Sequence, residues 1–91
     1  MDIPEKLRRN YVAIVTNLRE QEIICSYLYQ EEVITQSTSE FVLSHPTNTS
    51  QNRALLSILE RRCRYNTQAF QCFCEALEKT KQDELLELLL H

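Results

Sequence analysis

A chain of 91 residues with 43% hydrophobic and 25% charged side chains is one small packed domain, too short for a typical protease, kinase or dinucleotide-binding fold. The formal net charge of −3 argues against a broad phosphate-binding surface. The absence of glycine excludes glycine-rich phosphate loops and the dinucleotide fingerprint, and it favours helices over hairpins, whose tight turns need positive φ.

Leu7, Tyr11, Ile14 and Leu18 repeat at helical spacing behind Pro4, which suits a first turn, and predict helix one. After Arg19-Glu20-Gln21-Glu22, the stripe Ile23, Ile24, Tyr27 and Leu28 predicts helix two, running out near Glu31-Glu32. Ser37 with Glu40 three residues on reads as a capping box for a brief helix three over Glu40 to Leu43, stopped by Ser44-His45-Pro46. The polar run Thr47 to Asn52 offers N-caps for helix four, whose apolar face is Leu55, Ile58 and Leu59 and whose end falls near Arg62. Asn66 or Thr67 caps helix five, with Ala69, Phe70, Phe73, Ala76 and Leu77 on its inner side. Asp83-Glu84 opens helix six, buried through Leu85, Leu86 and Leu89. Short connections make these six helices an all-α antiparallel bundle around a single core, and Tyr11, Tyr27, Phe41, Phe70 and Phe73 all stand at core spacing. Leu88 and Leu90 flank the last stripe, where they could touch a partner or a following domain.

The four cysteines contain no C-x-x-C pair, and Cys72 and Cys74 would point about 200° apart on a shared helix, so the spacing is wrong for zinc. They are expected to be buried or half-buried, reduced thiols. A nucleophilic cysteine would need one of the two histidines, but His45 sits in a loop beside Pro46 and His91 is the last residue. No catalytic, cofactor or metal site is expected. The apolar runs are far shorter than the roughly 20 residues that span a bilayer, and no signal-peptide pattern opens the chain, so the expected compartment is cytoplasmic, with no membrane partner.

Charge is segregated along the chain. Residues 1–19 carry four basic and two acidic side chains, residues 20–52 carry five glutamates and no lysine or arginine, and residues 53–64 carry four arginines against Glu60. With helices one and four adjacent, Lys6, Arg8, Arg9, Arg53, Arg61 and Arg64 would form a basic face, opposed by Glu22, Glu31, Glu32 and Glu40 on helices two and three. Opposite faces meeting head to tail make a heterologous contact that builds open helical stacks. The cluster Arg61, Arg62 and Arg64 also allows a small helical nucleic-acid binder, a reading the acidic balance of the chain opposes.

The runs Tyr27-Leu28-Tyr29-Gln30-Glu31, Ser50-Gln51-Asn52, Gln68-Ala69-Phe70-x-x-Phe73-Cys74-Glu75-Ala76-Leu77 and Thr80-Lys81-Gln82 stand out in the chain. With them, nearly the whole chain resembles a caspase recruitment domain, the six-helix member of the death-fold superfamily. The resemblance implies a Greek-key-like helical topology, a single domain over residues 1–91, expected at the N-terminus of a longer protein, and homotypic docking of a basic face onto an acidic one. Arg53 stands where basic-faced members carry a basic residue, Arg8 and Arg9 match helix-one arginines, and Glu31 and Glu40 match acidic positions. The implied partner is another such domain, in a caspase, an adaptor or a scaffold, and the implied outcome is clustering that activates an attached protease, or, in a decoy without a protease, the capping of such assemblies. Where the family has Arg-Gly, this chain reads Arg62-Cys63-Arg64-Tyr65-Asn66-Thr67, leaving Asn66 as the residue expected to take positive φ.

Overall fold

Asp2 starts the first helix by accepting the Glu5 amide at 2.8 Å, with Pro4 in the first turn, where its missing N–H costs nothing. A computed structural model of the chain describes residues 2–91, which hold seven helices and no strands. These are α1 (Ile3–Arg9), α2 (Tyr11–Asn17), α3 (Gln21–Gln30), α4 (Gln36–Leu43), α5 (Asn48–Tyr65), α6 (Thr67–Lys79) and α7 (Asp83–Leu90). The six segments read from periodicity are all present, the first of them interrupted at Asn10. There the side-chain amide donates to the Lys6 carbonyl at 3.0 Å, and the backbone leaves helical geometry at φ −103° and ψ 15°.

The central α5 packs against α1, α2, α3, α4 and α6, while α3 and α4 lie together, α3 lies on α6, and α7 closes over α6 and α2. Phe73, Ile14, Ile24, Leu28, Leu55, Leu59, Leu77 and Leu89 are fully buried in one core. All four cysteines lie in that core as free thiols.

Several local expectations are corrected. Thr35, not Ser37, caps α4 by accepting the Thr38 amide at 3.1 Å, and the capping box belongs to Thr47 and Ser50 at the head of α5. The longer α5 runs past Arg62 to Tyr65, because Asn66 keeps an extended conformation at φ −134° and caps α6 by accepting the Gln68 amide. The left-handed positions are instead Glu20, Glu32 and Lys81. At Glu32 and Lys81 the backbone closes α3 and α6 with paired bonds, Val33 to the Leu28 carbonyl and Gln82 to the Leu77 carbonyl, so the helix ends are satisfied without glycine. Phe41, Tyr11 and Ile23 are exposed rather than core. Each stands at the margin of an apolar arc whose centre is filled by Val42, by Ile14 with Val15, and by Ile24 with Cys25. Tyr27 and Phe70 are half-buried against the core, and Leu88 and Leu90 are exposed, as their flanking positions suggested.

A buried amide network fixes the corners. The Asn52 side chain donates to the Val15 and Leu18 carbonyls, each at 3.0 Å, and accepts from Gln21. Gln82 donates to the Arg19 carbonyl at 2.7 Å and accepts the Arg19 amide at 3.0 Å. These three side chains are the buried polar ones among the described residues, and every one is satisfied.

Candidate protein-interaction surfaces

The last turn of α1 is basic, through Lys6, Arg8 and Arg9, and it lies against the C-terminal half of α5. Glu60 organises this junction: its carboxylate accepts from Arg8 at 3.1 Å and stands 3.9 Å from Arg64, one turn along α5. Exposed pairs of this kind contribute about 0–1 kcal/mol each, so their effect is to hold the guanidinium groups in place more than to stabilise the fold. Arg53 shares the outer side of α5, eleven residues and about 16 Å from Arg64 along the axis, within about 20° in projection. Arg8, Arg53 and Arg64 therefore share the α1–α5 face.

The other basic residues look elsewhere. The Lys6 ammonium lies 5.9 Å from the centre of the Phe70 ring, and Lys6 and Arg9 line a cleft whose far side is Glu84, Glu87, Leu88 and His91 of the α7 end. Arg61 lies about 80° round α5 from Arg53 and faces α4, in a cleft with Phe41 and Tyr65.

The glutamates fall on the α3–α4 side in separate places. Glu22 is in the first turn of α3, beside Leu43 and Gln51. Glu31, nine residues on and half a turn round, is the C-cap of α3, and its charge reaches Tyr27 and Cys72. Glu32 sits in the α3–α4 corner, in a hollow shared with Arg62. Glu40 is on α4, its carboxylate accepting from Gln36 at 3.4 Å. Charge counting included Glu60 but gave it no role, although its spacing of four from Arg64 is legible in the sequence.

Between α3 and α6 the Tyr27 hydroxyl donates to Glu75 at 2.8 Å, and Lys79 lies 5.4 Å from the ring centre. The Glu75 bond, partial burial and the charges of Glu75, Glu31 and Cys72 push the Tyr27 phenol up to about 12. Burial pushes the Cys25, Cys63 and Cys74 thiols up to about 11, so they are protonated at neutral pH and are poor nucleophiles. His45 bonds the backbone carbonyls of Phe41 and Val42 through Nδ1. Among the described residues no group of three or more His, Cys, Asp or Glu side chains is placed to hold a metal ion, and no helix is long and apolar enough to cross a membrane.

The sequence matches the caspase recruitment domain family model over residues 5–91. The chain belongs to the caspase recruitment domain family. It is 33% identical to Caspase-2 of Gallus gallus over 86 residues, 94% of this chain, and it spans 19% of the length of that relative. A caspase recruitment domain is a protein-interaction domain and not a catalytic one. Within the family-like runs, Asn52 and Gln82 serve the fold: they are 1% and 3% exposed and hold the corners from inside.

Proposed function

We propose that this caspase recruitment domain docks onto other caspase recruitment domains through the Arg8, Arg53 and Arg64 face of α1 and α5, against the glutamate-bearing α3–α4 side of its neighbour. The observation that carries the reading is the Glu60-centred arrangement, which holds Arg8 and Arg64 on one face, while residues 20–52 contain no lysine or arginine to repel such a face. In this reading Arg61, Lys6 and Arg9 extend the basic surface at its margins, and Glu22, Glu31, Glu32 and Glu40 supply the acidic counterpart. Charge complementarity of this kind sets partner choice and on-rate more than raw affinity. The domain is then one part of a longer cytoplasmic protein, and docking raises the local concentration of whatever is attached, a caspase-type protease being the case the resemblance suggests.

Arg53 is exposed and its side chain makes no bond within the described residues, so its replacement leaves the fold alone. Arg53→Glu is expected to weaken capture by immobilised caspase recruitment domains, this one included, by about tenfold with an unchanged helical circular dichroism signal. Raising salt from about 0.05 to about 0.5 M should weaken the wild-type contact likewise. Capture indifferent to both Arg53 and salt overturns the reading.

A further inference from the structure

The head of α4 carries four hydroxyls, on Thr35, Ser37, Thr38 and Ser39, and three of them are committed. The Thr35 oxygen accepts the Thr38 amide at 3.1 Å and shares a 2.9 Å hydrogen bond with the Thr38 hydroxyl, and Ser39 bonds the Cys25 thiol. Ser37, which Thr35 relieves of capping, is exposed, and its hydroxyl has no partner among the described residues. It stands on the wall of an open cleft of about 460 Å³ between α4 and the last turns of α5, with Phe41, Arg61, Arg62 and Tyr65. Neither arginine has an ion-pair or hydrogen-bond partner among the described residues, and no carboxylate is among the residues that line the cleft. Of the carboxylates nearby in the fold, Glu40 accepts from Gln36 at 3.4 Å, and Glu32 lies in a separate hollow that Arg62 also lines.

A neutral hydroxyl gains little from two guanidinium groups. A phosphate monoester in its place carries about −1.5 to −2 charge near neutral pH and three acceptor oxygens, the geometry that an arginine fork takes with two parallel hydrogen bonds. The segment is also open to a modifying enzyme. Helix α4 buries Val42 alone, so its first turn can unwind with little loss of apolar contact, and Glu40 places a carboxylate three residues after Ser37 for a kinase with a basic substrate groove. Ser57 is exposed too, with Glu60 three residues on, but it lies in the middle of the 18-residue α5, between Leu55 and Leu56 on one side and Ile58 and Leu59 on the other, all buried.

We propose that Ser37 is a phosphorylation site whose phosphate is held across the cleft by Arg61 and Arg62. In the active site of a serine kinase, the Ser37 Oγ attacks the γ-phosphorus of ATP. The Oγ–P bond forms as the bond from that phosphorus to the β,γ-bridging oxygen breaks, ADP leaves with the electron pair, and the hydroxyl proton passes to a base of the kinase. The product ties the start of α4 to the end of α5 by charge-assisted hydrogen bonds. The site stands whether or not the Arg8, Arg53 and Arg64 face docks onto another domain.

Treatment of the full chain with ATP and a serine kinase that requires a carboxylate three residues beyond its target tests the site, with the product mapped by tandem mass spectrometry. Phosphate on Ser37 is expected, and none at that position in Ser37→Ala. Phosphate on Ser57 in place of Ser37, or no incorporation, overturns the proposal. Phosphorus NMR reads the two arginines. A phosphoserine in open solvent loses its second proton near about pH 6; here that midpoint is expected to fall by about half a pH unit or more, because guanidinium groups favour the dianion, and to return in the chain carrying Arg61→Gln and Arg62→Gln. The melting temperature should rise on phosphorylation of the wild-type chain and stay level in the double variant, whose unmodified melting curve checks its fold. Should the double variant not fold, potassium chloride at about 0.5 M takes its place, screening the pair and restoring the ordinary midpoint. A midpoint that neither the arginine substitutions nor salt moves overturns the pairing.

Discussion

Cys25, Cys63 and Cys74 each favour the neutral thiol, because a thiolate in the core would lose its hydration with nothing to replace it. The folded state holds these protons more tightly than the unfolded chain, which releases them near the ordinary value of 9.0. Their stabilising contribution is therefore complete below pH 9 and is lost as pH rises through about 11, with Tyr27 following between 10 and about 12. Melting temperature measured from about pH 8 to about pH 12 should be flat at first and then fall steadily, in step with thiolate absorbance. A curve flat to the end would place the thiols in water. Burial of these residues was readable from their type, not from their spacing. The conformation of Asn66 was not, because its side chain caps the following helix and removes any need for a left-handed turn at that position.

Among the elements, α6 was the most legible and α4 the least, for the same reason. Helix α6 buries Ala69, Cys72, Phe73, Cys74, Ala76 and Leu77, a wide stripe that announces itself in the sequence, whereas α4 buries Val42 alone. With one anchoring side chain, the start of α4 is set by Thr35 and its turn rather than by any periodicity, and Phe41 is left outside. The break at Asn10 was hidden because Leu7, Ile14 and Leu18 keep nearly one face across it. Phe73 is fully buried at the centre of the α6 stripe, and Phe73→Ala should cost about 3–5 kcal/mol, measured by denaturant unfolding. For a domain of this length, whose total is no more than about 5–10 kcal/mol, that removes a large share of the stability. Unchanged stability would mean that the ring is not part of the core packing.

At the scale of the molecule, the charge blocks could be counted from the chain, but which side chains share a surface depended on helix register and on which helices touch. The adjacency of α1 and α5 gathers Arg8, Arg53 and Arg64, and the same register turns Arg61 toward α4 and Lys6 toward Phe70. The exposure of Ile23 left no trace in apolar periodicity, since exposed and buried residues at the edge of an apolar stripe look alike before the neighbouring helices are placed. The buried amides tie the helix corners together beneath these surfaces. Asn52→Ala leaves the Val15 carbonyl without its side-chain donor and the Gln21 amide with the Leu18 carbonyl alone, so it should lower stability by about 2–3 kcal/mol while unfolding stays a single transition. Two separate transitions in calorimetry would show that the corners open independently.

Gln82 clasps Arg19 across 63 positions of sequence, while Asn52 and Gln21 bind the neighbouring bend from within. Cross-bracing of this sort leaves little freedom for one helix pair to swing against another. Any strand built from such bricks takes its pitch and handedness from the geometry inside each brick rather than from slack at the joints.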